Sequence, residues 1–259
     1  MRKLHLLFAV ALMCSTVVLS QEVEKTSKED KEDKKDKKIK KDWSKVKLGD
    51  RANDHFMFQL GTETMIGLPD SVTKGIGRHL NIYVMLDKPF QTDPRFSVGF
   101  GVGIGSSNIY YNNTEVDLKG AVDRTRATLI DVEGKERFNK YKMTTVWAEA
   151  PIELRFVANP LNSDKSWKVA LGVKIGTMVS GYTKGKDLLS AAGQSIYGNK
   201  FIEKEKDRKF LNTTRLAGTL RFGKGNFTIY SAFQITNLYK DGQGPDARPF
   251  SLGICLSGL

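Results

Sequence analysis

The amino-acid sequence predicts an all-β fold, an eight-stranded antiparallel up-and-down transmembrane β-barrel, on three observations. Large apolar residues alternate with small or polar ones in eight segments, as strands with one apolar face require. Short and long connections alternate along the chain, and no segment after the first twenty residues has eighteen consecutive apolar residues. A membrane barrel is apolar outside and small or polar inside, whereas the lipocalin-like soluble barrel, our alternative, is polar outside and bulky inside.

Residues 1–20 are predicted to be a secretory signal peptide. Arg2 and Lys3 supply a positive start, and the apolar stretch that follows is too short for a membrane helix of ordinary length. A short anchor helix and a lipoprotein attached through Cys14 are the alternatives. Removing the signal leaves Cys255 as the one cysteine, so the sequence predicts no intramolecular disulfide.

Residues 21–50 are predicted to be a disordered, charged periplasmic tail, followed by an outer-membrane barrel over residues 51–259. Within 24–47, eleven lysines are interleaved with seven acidic residues and show no apolar periodicity. This segment supplies four of the twelve net positive charges. Because the acids are interleaved and the chain is predicted to be exported, we expect no nucleic acid among the partners.

Each of the eight segments is justified by an apolar face, and most have the roughly 9–11 residues that a tilted strand needs to cross a bilayer. They span about residues 55–66, 78–87, 95–108, 143–157, 166–182, 209–222, 226–238 and 249–258. Their apolar faces are, in that order, Phe56, Phe58, Leu60 and Ile66; Leu80, Ile82, Val84 and Leu86; Phe96, Val98, Phe100, Val102 and Ile104; Val146, Ile152, Leu154 and Phe156; Trp167, Val169, Leu171, Val173, Ile175 and Val179; Leu216, Leu220 and Phe222; Phe227, Ile229, Phe233 and Ile235; Phe250, Leu252, Ile254 and Leu256.

The third segment shows the pattern most clearly, because glycine or serine separates every pair of apolar residues. We predict that its apolar residues face lipid: Phe96, Val98, Phe100, Val102 and Ile104.

The connections predict the orientation of the barrel. Short turns lie at about 88–94, 159–165 and 223–226, and long loops at about 67–77, 109–142, 183–208 and 239–248. In outer-membrane barrels short turns are periplasmic and long loops are extracellular. Since eight is even, both termini are expected in the periplasm. Apolar and aromatic residues in or beside the long loops are predicted to form a girdle at the membrane surface, with a surface for a partner protein as the alternative: Ile109, Tyr110, Tyr111, Tyr182, Tyr197 and Tyr239.

Charged residues occupy the inward positions of segments four to six and are predicted to plug the narrow lumen with ion pairs. They are Glu149, Glu153, Arg155, Lys168, Lys174, Arg215 and Arg221. The short turn between segments four and five predicts that Glu149 lies opposite Lys174 and Arg155 opposite Lys168. A conducting pore or ligand slot, and an acid/base pair formed by Glu149 and Glu153, are the alternatives.

Few residues favour an enzyme. His79 follows the first long loop, which offers Asp70 and Ser71, and a barrel hydrolase or acyltransferase would need such a group at its outer rim. No motif fixes that arrangement, so we predict no catalytic residue. His55 and His79 are the two histidines beyond the signal, and with a single cysteine they favour neither a metal site nor a cofactor.

Several short motifs indicate a family. The stretch from Trp147 to Phe156 contains Glu-x-Pro-x-x-x-Arg-aromatic, and Phe250 to Ile254 reads Phe-Ser-Leu-Gly-Ile. These strands resemble the Bacteroidetes-type outer-membrane β-barrel family, which includes PorT-like proteins, although such barrels usually end on an aromatic residue and this chain ends on Leu259. The resemblance implies a non-enzymatic structural or accessory role, with outer-membrane lipid and envelope or secretion proteins as partners. A small pore, or a barrel enzyme acting on lipid or peptide, is the alternative.

Overall fold

The computed structural model describes residues 56–69, 72 and 75–258. The predicted signal peptide and tail, and with them residues 51–55 of the predicted barrel domain, lie outside the described residues, as do Asp70 and Ser71. The described strands are β1 (Phe56–Ile66), β2 (Gly77–Pro89), β3 (Phe96–Tyr111), β4 (Thr114–Asp117), β5 (Thr128–Asp131), β6 (Arg137–Val157), β7 (Trp167–Leu189), β8 (Ile202–Lys206), β9 (Thr214–Lys224), β10 (Phe227–Gln234) and β11 (Arg248–Ser257).

Eight strands form a closed ring in the order β6-β3-β2-β1-β11-β10-β9-β7, and pairing of β6 with β7 closes it. Every pairing in the ring is antiparallel. Neighbouring ring strands follow one another along the chain, except that β1, the first strand, pairs with β11, the last. Because the ring is closed, it has no unpaired edge strand, and the backbone N–H and C=O groups of its strands bond to one another rather than to water. The predicted all-β fold, an eight-stranded antiparallel up-and-down barrel, is therefore confirmed.

The outer surface of the ring is an apolar belt to which all eight strands contribute. Inward residues are buried and outward residues are exposed with a period of two, as the sequence predicts. The belt consists of exposed residues such as Phe56, Leu60, Leu80, Ile82, Val84, Leu86, Phe100, Val102, Ile104, Ile152, Leu154, Trp167, Leu171, Val173, Ile175, Leu220, Phe222, Phe227, Ile229, Leu252 and Ile254.

Two predicted long loops contain more strand than the sequence indicated. β6 and β7 are 21 and 23 residues long and continue well beyond the belt. β8 pairs with this extension of β7, and β4 and β5 form a separate two-stranded sheet. The prediction of loops at 109–142 and 183–208 is wrong in this respect. Strands were recognised in the sequence by an apolar outward face, whereas these strand extensions carry polar residues outward. At the other end, the turn from β6 to β7 includes a 3₁₀ helix, Pro160–Lys165.

The long-loop end of the barrel is closed by a hydrophobic cluster, which we call the cap cluster. Its residues are Met65, Leu68, Val72, Ile109, Tyr111, Val116, Leu118, Ala127, Tyr141, Met143, Trp147, Met178, Phe210, Leu211, Leu238, Tyr239 and Ala247. Ile109, Tyr111 and Tyr239 are buried here, so the prediction that they belong to a membrane girdle is wrong. Desolvation raises the pKa of the Tyr239 phenol, and the neighbouring Tyr141 raises it further.

Glycines on β3 leave room for large side chains in the lumen. A Cβ atom added to Gly99 would collide with Nε of Arg155, and one added to Gly105 would lie 2.9 Å from Oε2 of Glu149. The bare inner face of β3 therefore gives the charged side chains of β6 the space they occupy. No described segment forms a helix long and apolar enough to cross a membrane.

Candidate functional site

The first of two ion clusters in the lumen is centred on Glu149, and we call it the Glu149 cluster. Its Oε1 accepts a hydrogen bond from Nη1 of Arg215 at 2.9 Å, and its Oε2 accepts one from Nζ of Lys174 at 3.2 Å. The Tyr83 hydroxyl donates to the same Oε2. The guanidinium of Arg215 lies 5.5 Å from the ring centre of Trp147, which belongs to the cap cluster. This cluster thus joins β2, β6, β7 and β9 across the lumen.

The second, the Glu153 cluster, lies nearer the short turns. Arg221 binds Glu153 with both Nε, at 3.0 Å from Oε1, and Nη2, at 2.6 Å from Oε2. Arg155 adds a bond from Nε at 3.0 Å, and its Nη1 lies 3.5 Å from Oδ1 of Asp87. A two-pronged contact between guanidinium and carboxylate is strong and directional. Lys168 lines a recess beside this cluster with Asp87, Arg155 and Arg221, at the short-turn end of the lumen.

The predicted register between β6 and β7 is wrong by two residues. Glu149 lies opposite Gly176, and Lys174 lies opposite Pro151. Arg155 lies opposite Ala170 rather than Lys168. The ion pair between Glu149 and Lys174 still forms, because a shift of two residues keeps both side chains on the inner face and makes them diagonal neighbours.

Three inward polar residues were not predicted from the sequence, two of them in these clusters and the third beside them. Asp87 and Tyr83 belong to the Glu153 and Glu149 clusters, and the buried Glu63 accepts hydrogen bonds from the hydroxyls of Ser107 and Ser251, the latter at 3.0 Å. All three occupy the inward positions of their strands, and Tyr83 and Asp87 directly adjoin outward belt residues of β2. Applying the alternation to β1 and β2, as was done for β6 and β7, would have found them.

The lumen holds paired charges beside a small buried hydrophobic cluster, which consists of Met57, Tyr83, Met85, Tyr230, Ala232 and Cys255. Within the height of the belt, four inward carboxylates (Glu63, Asp87, Glu149 and Glu153) meet five inward cations (Arg155, Lys168, Lys174, Arg215 and Arg221). An isolated buried charge costs several kcal/mol, and pairing with additional hydrogen bonds offsets that cost. Since both Glu149 and Glu153 are held between two cations, their geometry is that of paired anions in a plug.

His79 lies inside the barrel, not at its rim. Its side chain is 2% exposed, and its ring packs edge-on against Tyr230 with a centroid separation of 5.3 Å. A substrate outside the barrel cannot reach it there. Within residues 56–69, 72 and 75–258, no three His, Cys, Asp or Glu side chains converge to hold a metal ion.

The five residues of β3 that were predicted to face lipid all point out of the barrel. Phe96, Phe100, Val102 and Ile104 are exposed, with Val102 reaching 66%, and Val98 is half-buried. They lie in the belt beside β2 and β6 residues of the same character. That they face lipid stays a prediction.

Comparison with solved structures gives loose matches, two of which are to structures of Ail. No family model and no curated protein matches the chain. A structure of Ail, the attachment invasion locus protein of Yersinia pestis, is 14% identical with a TM-score of 0.31, and the match covers 80% of this chain and 99% of the Ail chain. A second Ail structure, in complex with the heparin analogue sucrose octasulfate, is 12% identical with a TM-score of 0.29, covering 78% and 95%. Similarity at this level assigns neither a family nor a ligand to this chain.

Proposed function

We propose that this protein is a non-enzymatic outer-membrane β-barrel with a structural or accessory role in the cell envelope. One observation carries the proposal: the exposed face of the closed ring is apolar and its interior is charged. Water around the ring would leave this large apolar surface solvated, whereas a bilayer would bury it. A soluble barrel has the opposite arrangement.

The plugged lumen favours an accessory role over a pore. The two ion clusters fill the lumen at the height of the belt, and the cap cluster closes the long-loop end. Moving ions through the barrel would require breaking these buried pairs and displacing the cap. The enzyme alternative loses its support because His79 is buried against Tyr230.

The proposed orientation places the short turns and both chain ends in the periplasm, and the cap cluster outside the cell. β1 begins and β11 ends at the short-turn side, beside the turns that join β2 to β3, β6 to β7 and β9 to β10. In this orientation the charged tail is periplasmic, where envelope or secretion proteins can bind it. The resemblance to PorT-like barrels supports this role.

The membrane assignment predicts that the intact protein fractionates with outer membranes and migrates differently on a denaturing gel before and after boiling. A closed ring of hydrogen-bonded strands resists detergent until it is heated. A variant lacking residues 248–257, which form β11, cannot close the ring and should lose the mobility difference. Release of the intact protein by osmotic shock, with equal mobility before and after boiling, would contradict the proposal.

The plug predicts that the intact protein produces no discrete conductance steps in planar bilayers. The protein is delivered to the planar bilayer from proteoliposomes, and its folding in them is checked by the gel mobility before boiling. Stable unitary conductance from the inserted protein would show that the clusters do not close the lumen and would favour the pore.

A further inference from the structure

The outward face of β6, β7 and β8, beyond the belt, carries rows of lysines. The cross-strand register places Lys142 opposite Lys184, and Lys184 opposite Lys204, so three lysines lie side by side on three neighbouring strands. One step further from the belt, Lys140 lies opposite Lys186. The residues between them, including Tyr141 and Thr183, point inward and are buried. We call these five lysines the lysine ladder.

The lysine ladder carries an excess of positive charge, since Asp187 is the one acid that lines a recess with two of its lysines, Lys140 and Lys186, among the described residues. Among the described residues, no carboxylate forms an ion pair with any of the five lysines. The glutamates of β8 alternate with Lys204 and lie on the opposite face, where Glu205 pairs with Lys119 at 2.8 Å. The oxygens of the Asp187 carboxylate accept hydrogen bonds from Ser195 at 2.6 Å and Asn139 at 3.1 Å. These bonds, and then the charge of Lys186, lower the pKa of this carboxyl.

Like charges directly opposite one another destabilise a sheet. Two of these lysines contact neutral groups, which orient the side chains but do not neutralise their charge. Nζ of Lys142 donates to Oδ1 of Asn108 at 2.7 Å, and Nζ of Lys204 lies 3.9 Å from the ring centre of Tyr182. An external anion between neighbouring lysines would relieve the repulsion. A phosphate group has several acceptor oxygens and can receive hydrogen bonds from more than one ammonium group.

The height of the ladder fits a lipid headgroup. On β6, Lys142 lies four residues beyond the outward Val146, which is about 13 Å along the strand at ~3.3 Å per residue. A strand tilt of about 40° reduces this to a height of about 10 Å. The headgroup layer on each side of a bilayer is roughly 5–8 Å thick, and lysine side chains extend toward it along their apolar stems. Tyr182, one step below Lys184, stands where interfacial aromatic residues are enriched.

We propose that the lysine ladder binds the phosphate groups of lipids in the membrane leaflet on the long-loop side. This inference rests on the proposed function, because the ladder meets headgroups only if the belt is in a bilayer. The ladder would fix the height and rotation of the barrel in the membrane through several charge-assisted contacts. It would also concentrate phosphorylated lipids around one side of the protein, because the ladder occupies only three neighbouring strands.

The test is a titration of the intact protein, folded in a neutral detergent, with a bisphosphorylated glucosamine lipid, bound lipid being counted by native mass spectrometry. Each lysine near an anionic lipid surface contributes about fivefold in affinity. Replacing three lysines together (Lys142→Gln, Lys184→Gln and Lys204→Gln) should therefore weaken binding about a hundredfold. Binding to the unchanged protein should also weaken as salt is raised.

A matched control removes three exposed lysines from the short-turn end: Lys88→Gln, Lys165→Gln and Lys224→Gln. It should bind like the unchanged protein, and both triple variants should keep the mobility difference that reports a folded barrel. The same lipid without its phosphates should bind only weakly. Equal binding by the ladder variant, equal loss in the control, or equal binding of the dephosphorylated lipid would overturn the inference. Displacement by an equal concentration of inorganic phosphate would also overturn it, since it would show a free-anion site.

The two proposals fail separately. If the protein does not fractionate with membranes, the proposed function fails whatever the titration shows. If it inserts and folds but shows no preference for the phosphorylated lipid, only the inference about the lysine ladder fails.

Discussion

Replacing Glu149 by Gln is expected to destabilise the barrel by about 3–5 kcal/mol, because removing one partner of a buried ion pair strands the others. Lys174 and Arg215 both donate to this carboxylate, and both are buried. The free energy of unfolding is measured by urea titration of the protein in lipid vesicles, with the loss of gel mobility difference as the readout. An exposed pair provides the control: Arg126→Gln, which removes a surface contact to Asp123, should leave the unfolding midpoint unchanged.

A double-mutant cycle tests whether Glu149 and Lys174 meet. Lys174→Met alone should also destabilise, since it leaves Glu149 with one cation fewer. The double variant should cost less than the sum of the two single changes, by an interaction of roughly 0.5–3 kcal/mol. Full additivity would mean that the two side chains do not touch and that the diagonal contact across β6 and β7 is absent.

Replacing Phe100 by Arg is expected to destabilise the inserted barrel by about 2–4 kcal/mol, the cost of a basic residue at the middle of a bilayer. Phe100 is 43% exposed and lies in the belt between Leu86 of β2 and Ile152 of β6. The same change at Phe90, which is exposed beyond the end of β2, should cost only about 0–1 kcal/mol near the interface. Both variants are measured by the urea titration used for Glu149.

Accessibility provides an independent measure of the same placement. A cysteine at position 100 should resist a membrane-impermeant thiol reagent, whereas a cysteine at the exposed loop position 135 should react quickly. The native Cys255 is buried and should not interfere. Equal reaction at both positions in the inserted barrel would show that the outer face of β3 is in water.

The sequence predicts those features of this structure that depend on residues close together in the chain. The alternation of β3 places Phe100 outside and Gly101 inside from neighbouring residues alone, since successive side chains on a strand point to opposite faces. The number of ring strands and the antiparallel order follow from eight such segments and their short turns. Strand segments whose outward residues are polar were not recognised, because the prediction relied on apolar outward residues. Lys142 and Lys184 are examples, since both lie in strands.

The sequence by itself therefore determined the class of fold and which side of the sheet each strand residue faces. Only the tertiary structure decided which inward charges meet. A register shift of two residues leaves every side chain on its face, so alternation cannot detect the offset between β6 and β7. The pairing of Glu149 with Arg215, 66 residues apart, exists because ring closure brings β6 and β9 to the same lumen, and no local pattern encodes that distance. The cap cluster is likewise decided in three dimensions, because its loop residues have no periodicity and pack only when the strands beneath them have closed.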